Sequence, residues 1–234
     1  MTDESGQQDL FSASPDKESK LSLDLELKAQ GFARIVGVDE AGRGPLAGPV
    51  SAAAAFLTEN AVLPGLDDSK KLKEPQREHL FELLNKQRGE TLFFGHGFAS
   101  AAEIDELGIL PANFLAMKRA LKDLHLPDDE HLRNYVLIID GRDRIPDLGD
   151  IQQMPVVRAD SRSRAVAAAS VVAKVRRDRK MNEYSKAFPH YGFASHKGYG
   201  TKVHLQALST YGPCPIHRKS FEPIRSKLDW PKKS

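Results

Sequence analysis

A chain of 234 residues, 40% of them hydrophobic, is long enough to bury a sizeable core and suggests one domain or one domain with an appendage. No run reaches the roughly 18 apolar residues of a membrane span, and the acidic, polar N-terminus lacks the basic-then-apolar order of a secretory signal, so a cytoplasmic protein with no membrane partner is expected. The net charge of +2 conceals an asymmetry, since residues 1–157 carry 17 Lys and Arg against 27 Asp and Glu while residues 158–234 carry 17 against 5. A single cysteine, Cys214 between two prolines, excludes an internal disulfide and a thiolate zinc cluster, and reads as a turn residue.

In chain order, residues 1–30 have few large apolar side chains and cannot offset their own ordering entropy, so a flexible arm is expected there. Alternating or continuous apolar runs then predict strands over 34–39 and 50–57, separated by a Gly/Pro turn. A helix over 75–87, a strand over 91–98 and helices over 101–107 and 112–124 follow. A very apolar strand over 135–139 and a short one over 154–157 precede a long helix over 161–187, and the remainder reads as helices and turns. The pattern is α/β, without internal repeats.

Three of these strands deliver carboxylates at their C-terminal ends. RIVGV (34–38) runs into Asp39 and Glu40, YVLII (135–139) into Asp140, and MPVV (154–157) closely precedes Asp160. Functional sites in open α/β sheets favour that rim. Converging carboxylates repel one another unless a cation neutralises them, so four of them make sense with divalent metal. Two hard cations about 3.5–4 Å apart can activate water and stabilise the leaving oxygen of a phosphodiester displacement, which points to a nuclease. Asp39 and Glu40 would face opposite ways on a regular strand, so both reach one site only if the strand ends or bends between them, and Gly42 and Gly44 supply that freedom. Each acid can equally be a loop or capping group, Asp160 as an N-cap. A basic second half beside an acidic first half suits a protein that grips phosphate while holding cations, and equally describes solvated helix faces. Asp178, within RRDRK (176–180), reads as a solvated helical ion-pair member. The histidines lack the spacing of a zinc site.

GVDEAGRGP (37–45) resembles the signature of the ribonuclease HII family, and further motifs occur in that family's order. These are DSKKL (68–72), EIDEL (103–107), LIIDG (137–141), Asp160 with Ser161, AAASVVAK (167–174), YGF (191–193), HKGY (196–199) and HRKSF (217–221), so the resemblance spans about residues 33–226. It implies an RNase H-like α/β fold, a central mixed β-sheet flanked by helices with a helical C-terminal extension. The catalytic domain would then occupy 31–228, between the arm and a tail at 229–234. It also implies an endonuclease that cuts the RNA strand of RNA·DNA hybrids and nicks duplex DNA 5′ of embedded ribonucleotides, leaving 3′-hydroxyl and 5′-phosphate ends. Asp39, Glu40, Asp140 and Asp160 would hold Mg²⁺ or Mn²⁺. Gly42, Arg43 and Gly44 would read the 2′-hydroxyl, the group that separates RNA from DNA, and Tyr199 would stack on the deoxyribose that follows. Ser69, Lys70, Lys71, Ser170 and Lys174 are phosphate-contact candidates, and His196 and His217 lie in matched motifs that could touch substrate.

The sequence departs from the family pattern at RADSRSR (158–164), more basic than the usual surroundings of the fourth acid, and in its longer acidic arm. Within that arm QQDLF (7–11) resembles the short peptides that dock on the bacterial sliding clamp, with Leu10 and Phe11 as apolar anchors. A monomer is expected. Two competing readings are a type HIII-like enzyme, which carries a further N-terminal domain that a 30-residue arm is too short to form, and a noncatalytic nucleic-acid-binding module, which the presence of all four acids disfavours.

Overall fold

The computed structural model describes residues 22–32, 34–66, 72–127 and 131–226. Five strands, β1 (Ile35–Ala41), β2 (Val50–Leu57), β3 (Leu92–Ala99), β4 (Val136–Asp140) and β5 (Gln152–Val156), form one mixed sheet in the order β3-β2-β1-β4-β5. The first three are antiparallel neighbours, whereas β4 runs parallel to both β1 and β5. Helices α1 (Leu23–Ala29), α2 (Glu74–Lys86), α3 (Ala101–Leu107), α4 (Ile109–Asp123), α5 (Arg164–Ala187), α6 (Phe193–His196) and α7 (Lys202–Tyr211) complete the chain order. This is the RNase H-like α/β arrangement expected from the sequence. Among the described residues no helix is long and apolar enough to cross a membrane.

The Ala-rich centre of β2 explains how two helices reach the sheet. Ala52 and Ala54 point to one face, with Ala112, Ala116 and Met117 of α4, while Ala53 and Ala55 point to the other, with Ala168, Val171 and Val172 of α5. Methyl side chains on both faces let both helices lie close, and the burial excludes water from either side. The closest approach is at Gly37, where an added Cβ would lie 2.2 Å from the backbone of Ala165 and Val166. Only glycine leaves room for the first turn of α5 on β1. The 3₁₀ turn before that helix, Ala159–Ser161, is thereby set beside the end of β1.

Two predicted boundaries shift for local reasons. The helix expected over 112–124 starts at Ile109, because Pro111 falls in its first turn, where a missing N–H has no intrahelical partner to lose. The helix expected over 161–187 starts at Arg164, because the Ser163 hydroxyl accepts the Val166 N–H at 3.2 Å and caps it there. Asp160 is therefore not the cap of that helix.

A larger correction concerns the arm expected to run to residue 30. From Leu23 to Ala29 the chain is helical, with Leu23 and Leu27 buried against Ile35, Val136, Ile138 and Val166. The helix is amphipathic but short, and its packing, rather than any intrinsic propensity, holds it. Asp24 adds a second tie: its Oδ2 accepts the N–H groups of Arg164 at 2.8 Å and Ala165 at 3.3 Å, so α1 caps the start of α5. Burial pushes the Asp24 carboxyl up, against the pull of those hydrogen bonds and Arg164. The segment at 7–11 and the tail at 229–234 lie outside the described residues.

The C-terminal extension is helical as expected. Tyr191, Phe193, Leu208 and Ile224 gather with Met181 of α5 and with Leu46 and Ala47 of the β1–β2 loop into a separate apolar cluster that also buries Cys214. Because Leu27 is 3% exposed, Leu27→Ala should cost about 2–4 kcal/mol of unfolding free energy, the range for a buried Leu truncation. Urea denaturation checks this, and a loss below about 0.5 kcal/mol, the range of surface changes, would return residues 23–29 to the arm.

Candidate metal centre and the loops around it

Parallel pairing of β1 with β4 runs in register to Val38 opposite Ile139, so Asp39 and Asp140 follow at the same rim and on the same face of the sheet. The 3₁₀ turn after β5 adds Asp160. One carboxylate oxygen from each of these three residues lies within 4.8 Å of the others. Asp39 and Asp160 are 1% and 2% exposed, and Asp140 is half-buried. The group is held by its neighbours: Asp39 Oδ1 accepts the Glu40 N–H at 2.7 Å, and Asp140 Oδ1 accepts the Ala159 N–H at 2.8 Å. The second bond ties β4 to the turn that carries Asp160. Arg158 enters that turn in the left-handed conformation, with φ of 58°, a conformation that costs a non-glycine residue about 1–2 kcal/mol.

The fourth predicted ligand stands apart. β1 does not bend between Asp39 and Glu40; it continues to Ala41, with Asp39 opposite Ala53 and Glu40 opposite Ala52. Glu40 therefore emerges on the α4 face and falls outside the three-carboxylate group. It remains within electrostatic reach. Burial raises the Glu40 pKa, the Arg43 guanidinium opposes that rise, and the charge of Asp140 adds to it, while hydrogen bonds from Arg43 and Asn113 lower it. Arg43 Nη1 is 3.4 Å from Glu40 Oε1, and the buried Oε2 has no hydrogen-bond partner among the described residues.

Three clustered carboxylates, two of them buried, beside a fourth acid are unfavourable on their own and suit a hard divalent cation, whose preferred donors are carboxylate oxygens. The orphaned Glu40 Oε2 fits the same reading. Asp39, Asp140 and Asp160 could hold the ion directly, with Glu40 at its edge.

Beside these acids lies the loop Gly42, Arg43 and Gly44, in which Arg43 and Gly44 are exposed. Gly42 has φ of 93°, and a Cβ there would lie 1.9 Å from Arg177 Nε. A Cβ on Gly44 would meet the Tyr199 ring at 3.8 Å, so the loop and Tyr199 form one continuous surface. Tyr199 is 48% exposed. Its backbone ends a proton-ordered chain. The Cys214 N–H donates to His217 Nδ1 at 2.9 Å, which leaves His217 Nε2–H to donate to His204 Nε2 at 3.0 Å and His204 Nδ1–H to donate to the Tyr199 carbonyl at 2.8 Å. Burial pushes both imidazoles down to about 4, so both are neutral at pH 7.

The remaining predicted contacts divide. Ser69, Lys70 and Lys71 lie outside the described residues. Ser170 is 2% exposed, and is not presented to a phosphate in this conformation. Lys174 Nζ donates to Asp178 Oδ1 at 2.8 Å, and Arg77 stands 3.6 Å from the other oxygen of Asp178. Asp178 is thus not a solvated surface acid; it is 3% exposed and balances two cations. His217 is 1% exposed and hydrogen-bonds inside the fold. His196 hydrogen-bonds the Tyr191 carbonyl at 2.7 Å.

Sequence reasoning missed the buried cations. Arg218 is fully buried and donates from Nε to the Gly48 carbonyl at 3.0 Å, from Nη1 to that of Arg43 at 2.7 Å and from Nη2 to that of Gly42 at 2.6 Å. Arg177 donates to the carbonyls of Pro49 at 3.0 Å, Lys197 at 3.0 Å and Ala47 at 3.2 Å. HRKSF (217–221) contained the signal for the first, and the basic run of α5 concealed the second.

Residues 36–224 match the sequence model of the family described as Ribonuclease HII. Ribonuclease HII of Geobacter metallireducens is 51% identical over 198 residues, covering 85% of this chain and 88% of that one. Ribonuclease HII of Syntrophotalea carbinolica is 48% identical over 210 residues, covering 90% and 95% respectively. Among solved structures, ribonuclease H2 from Pyrococcus horikoshii superposes with a TM-score of 0.65 at 26% identity, covering 82% of this chain and 96% of that one.

If the acidic group holds a cation, Mn²⁺ at about 100 times its Kd should stabilise the wild type by about 2.7 kcal/mol. Asp140→Asn should lose that stabilisation while making the metal-free protein more stable, by relieving repulsion. Thermal melts with EDTA and with Mn²⁺ check both, and an unchanged Mn²⁺ response in Asp140→Asn would remove Asp140 from the site.

Proposed function

The chain belongs to the ribonuclease HII family and is a ribonuclease H, and on that premise we propose that it nicks duplex DNA 5′ of embedded ribonucleotides as well as cutting the RNA strand of RNA·DNA hybrids. The observation that carries this reading is the three-carboxylate group at the rim of the sheet, one of its acids on the strand that leads into the Gly42–Gly44 loop, which in turn forms one surface with Tyr199. Mg²⁺ or Mn²⁺ would be held by Asp39, Asp140 and Asp160 with Glu40 at the edge. When bound, the cation would polarise the scissile phosphate and acidify an attacking water, so that attack 5′ to the ribonucleotide leaves 3′-hydroxyl and 5′-phosphate ends.

The chain's own residues do the rest. The Ala159 N–H fixes the Asp140 carboxylate, so the site is organised before substrate arrives. Arg43, its side chain 47% exposed and 3.4 Å from Glu40, places a cation where a backbone phosphate would pass. Gly42 and Gly44 allow the backbone to approach the sugar and read its 2′-hydroxyl. The half-exposed Tyr199 ring offers a flat face to the next sugar, which would sense an RNA-to-DNA junction. The basic second half of the chain supports the grip on phosphate. Docking on a sliding clamp through QQDLF (7–11) is a separate proposal that rests on the sequence pattern alone.

A labelled duplex with one embedded ribonucleotide should be nicked 5′ of it with Mg²⁺ or Mn²⁺, and Asp140→Asn should abolish the cut while keeping duplex binding. No nick with either ion would overturn the proposal, and cutting only of long hybrid tracts would favour the HIII-like specificity. In a pull-down, Leu10→Ala with Phe11→Ala should abolish retention on the clamp; unchanged retention would remove that partner.

A further inference from the structure

Arg218 is a fully buried guanidinium with no ion-paired carboxylate among the described residues, and its donors go instead to three backbone carbonyls of a single loop. Burial and the neighbouring Arg177 push its pKa down to about 9, which leaves it charged at neutral pH. Burying an unpaired charge is costly. What it supplies beyond a neutral donor is a rigid planar fork that fixes several acceptors at once.

The consequence lies on the opposite side of the peptide planes. The peptides joining Gly42 to Arg43 and Arg43 to Gly44 are trans, as the one cis bond among the described residues is Glu222-Pro223. In a trans peptide the C=O and the following N–H point in opposite directions. With the Gly42 and Arg43 carbonyls drawn inward onto Arg218, the N–H groups of Arg43 and Gly44 face outward, at two exposed residues. Neither N–H has a hydrogen-bond partner among the described residues. Consecutive outward N–H groups of this kind recognise an electronegative acceptor.

We infer that Arg218 is a positioning residue for ribonucleotide recognition, holding the N–H groups of Arg43 and Gly44 as a preset donor pair for the 2′-oxygen. This rests on the loop being the reader of the 2′-hydroxyl, as proposed above. His217, the adjacent residue, orders Tyr199 through His204, so one short segment behind the site sets both reading elements. The backbone of that segment is itself fixed: the Arg218 N–H donates to the Leu46 carbonyl at 2.9 Å, and Asp105 accepts the N–H groups of Lys219 at 2.9 Å and Ser220 at 2.8 Å.

The test is binding of the full chain in EDTA, where nothing is cut, to a duplex with one ribonucleotide and to the same duplex in all-DNA form. Wild type should prefer the first, and Arg218→Lys, which keeps the charge but loses the fork, should reduce that preference about ten-fold, the value of one to two lost hydrogen bonds. Its affinity for the all-DNA duplex should stay within about two-fold, because phosphate contacts dominate it. A variant that melts lower and loses both affinities together, or one that keeps the wild-type preference, would make Arg218 structural only and overturn the inference. Absence of any preference in the wild type would instead overturn the loop's role as reader. Should Arg218→Lys not fold, ¹⁵N relaxation of the free wild type decides: the Arg43 and Gly44 amides should be as rigid as those of β1, and mobile amides there would overturn the preset donor pair.

Discussion

Three carboxylates with oxygens inside 4.8 Å of one another repel, and the surrounding structure is what keeps them there. Two of the acids sit at the ends of parallel neighbours, so the ladder between β1 and β4 fixes their separation. The third sits on a turn, and its position depends on where α5 starts. Gly37 lets that helix rest on β1, Asp24 and Ser163 satisfy the helix N-terminus, and Ala159 clasps Asp140. Removing any of these would let repulsion open the group. α1 therefore serves the site although it contributes none of the clustered acids.

The opposite charge is managed in the same way. Arg177 and Arg218 are buried near each other and hydrogen-bond carbonyls, so two positive charges lie beneath the Gly42–Pro49 connection with no carboxylate ion-paired to either among the described residues. The acidic and basic halves of the sequence meet here: β1 and β4 bring two of the three clustered acids, and α5 with the C-terminal extension brings the cations. A phosphodiester beside this loop would meet positive potential from the buried arginines.

Much of this was legible from the sequence. Strand-end placement gave Asp39 and Asp140, because a continuous apolar run ending in an acid needs no tertiary information to interpret. The motif order pointed to the loop and to Tyr199, which lie against each other. Other features depended on distant contacts. Leu23 and Leu27 belong to a run in which leucine alternates with polar residues from 21 to 27, a spacing that does not mark a helix, and only Ile138 and Val166 beneath them show which two leucines are buried. Asp178 reads as a helix-surface acid because its helical neighbours are basic, whereas Arg77, about a hundred positions earlier, helps to bury it. Glu40 was expected to turn toward Asp39 on the strength of the glycines that follow, but the hydrogen-bond ladder to β2 carries β1 straight past it.

Distinguishing one oxygen atom on a sugar places a demand that flexible side chains meet poorly. The Arg43 guanidinium is half exposed and would lose rotamer freedom on binding, so part of its contact energy would go into ordering it. Backbone N–H groups have no rotamers, and a loop whose carbonyls are already taken by buried arginines has little left to lose when a ligand arrives. A site built from such groups can reject a sugar lacking the acceptor by leaving donors unpaired, which is the more costly outcome in a partly desolvated site. The burial of two arginines without an ion-paired carboxylate then has a physical reason: their hydrogen bonds to the loop's carbonyls hold in one conformation a glycine loop that would otherwise sample many.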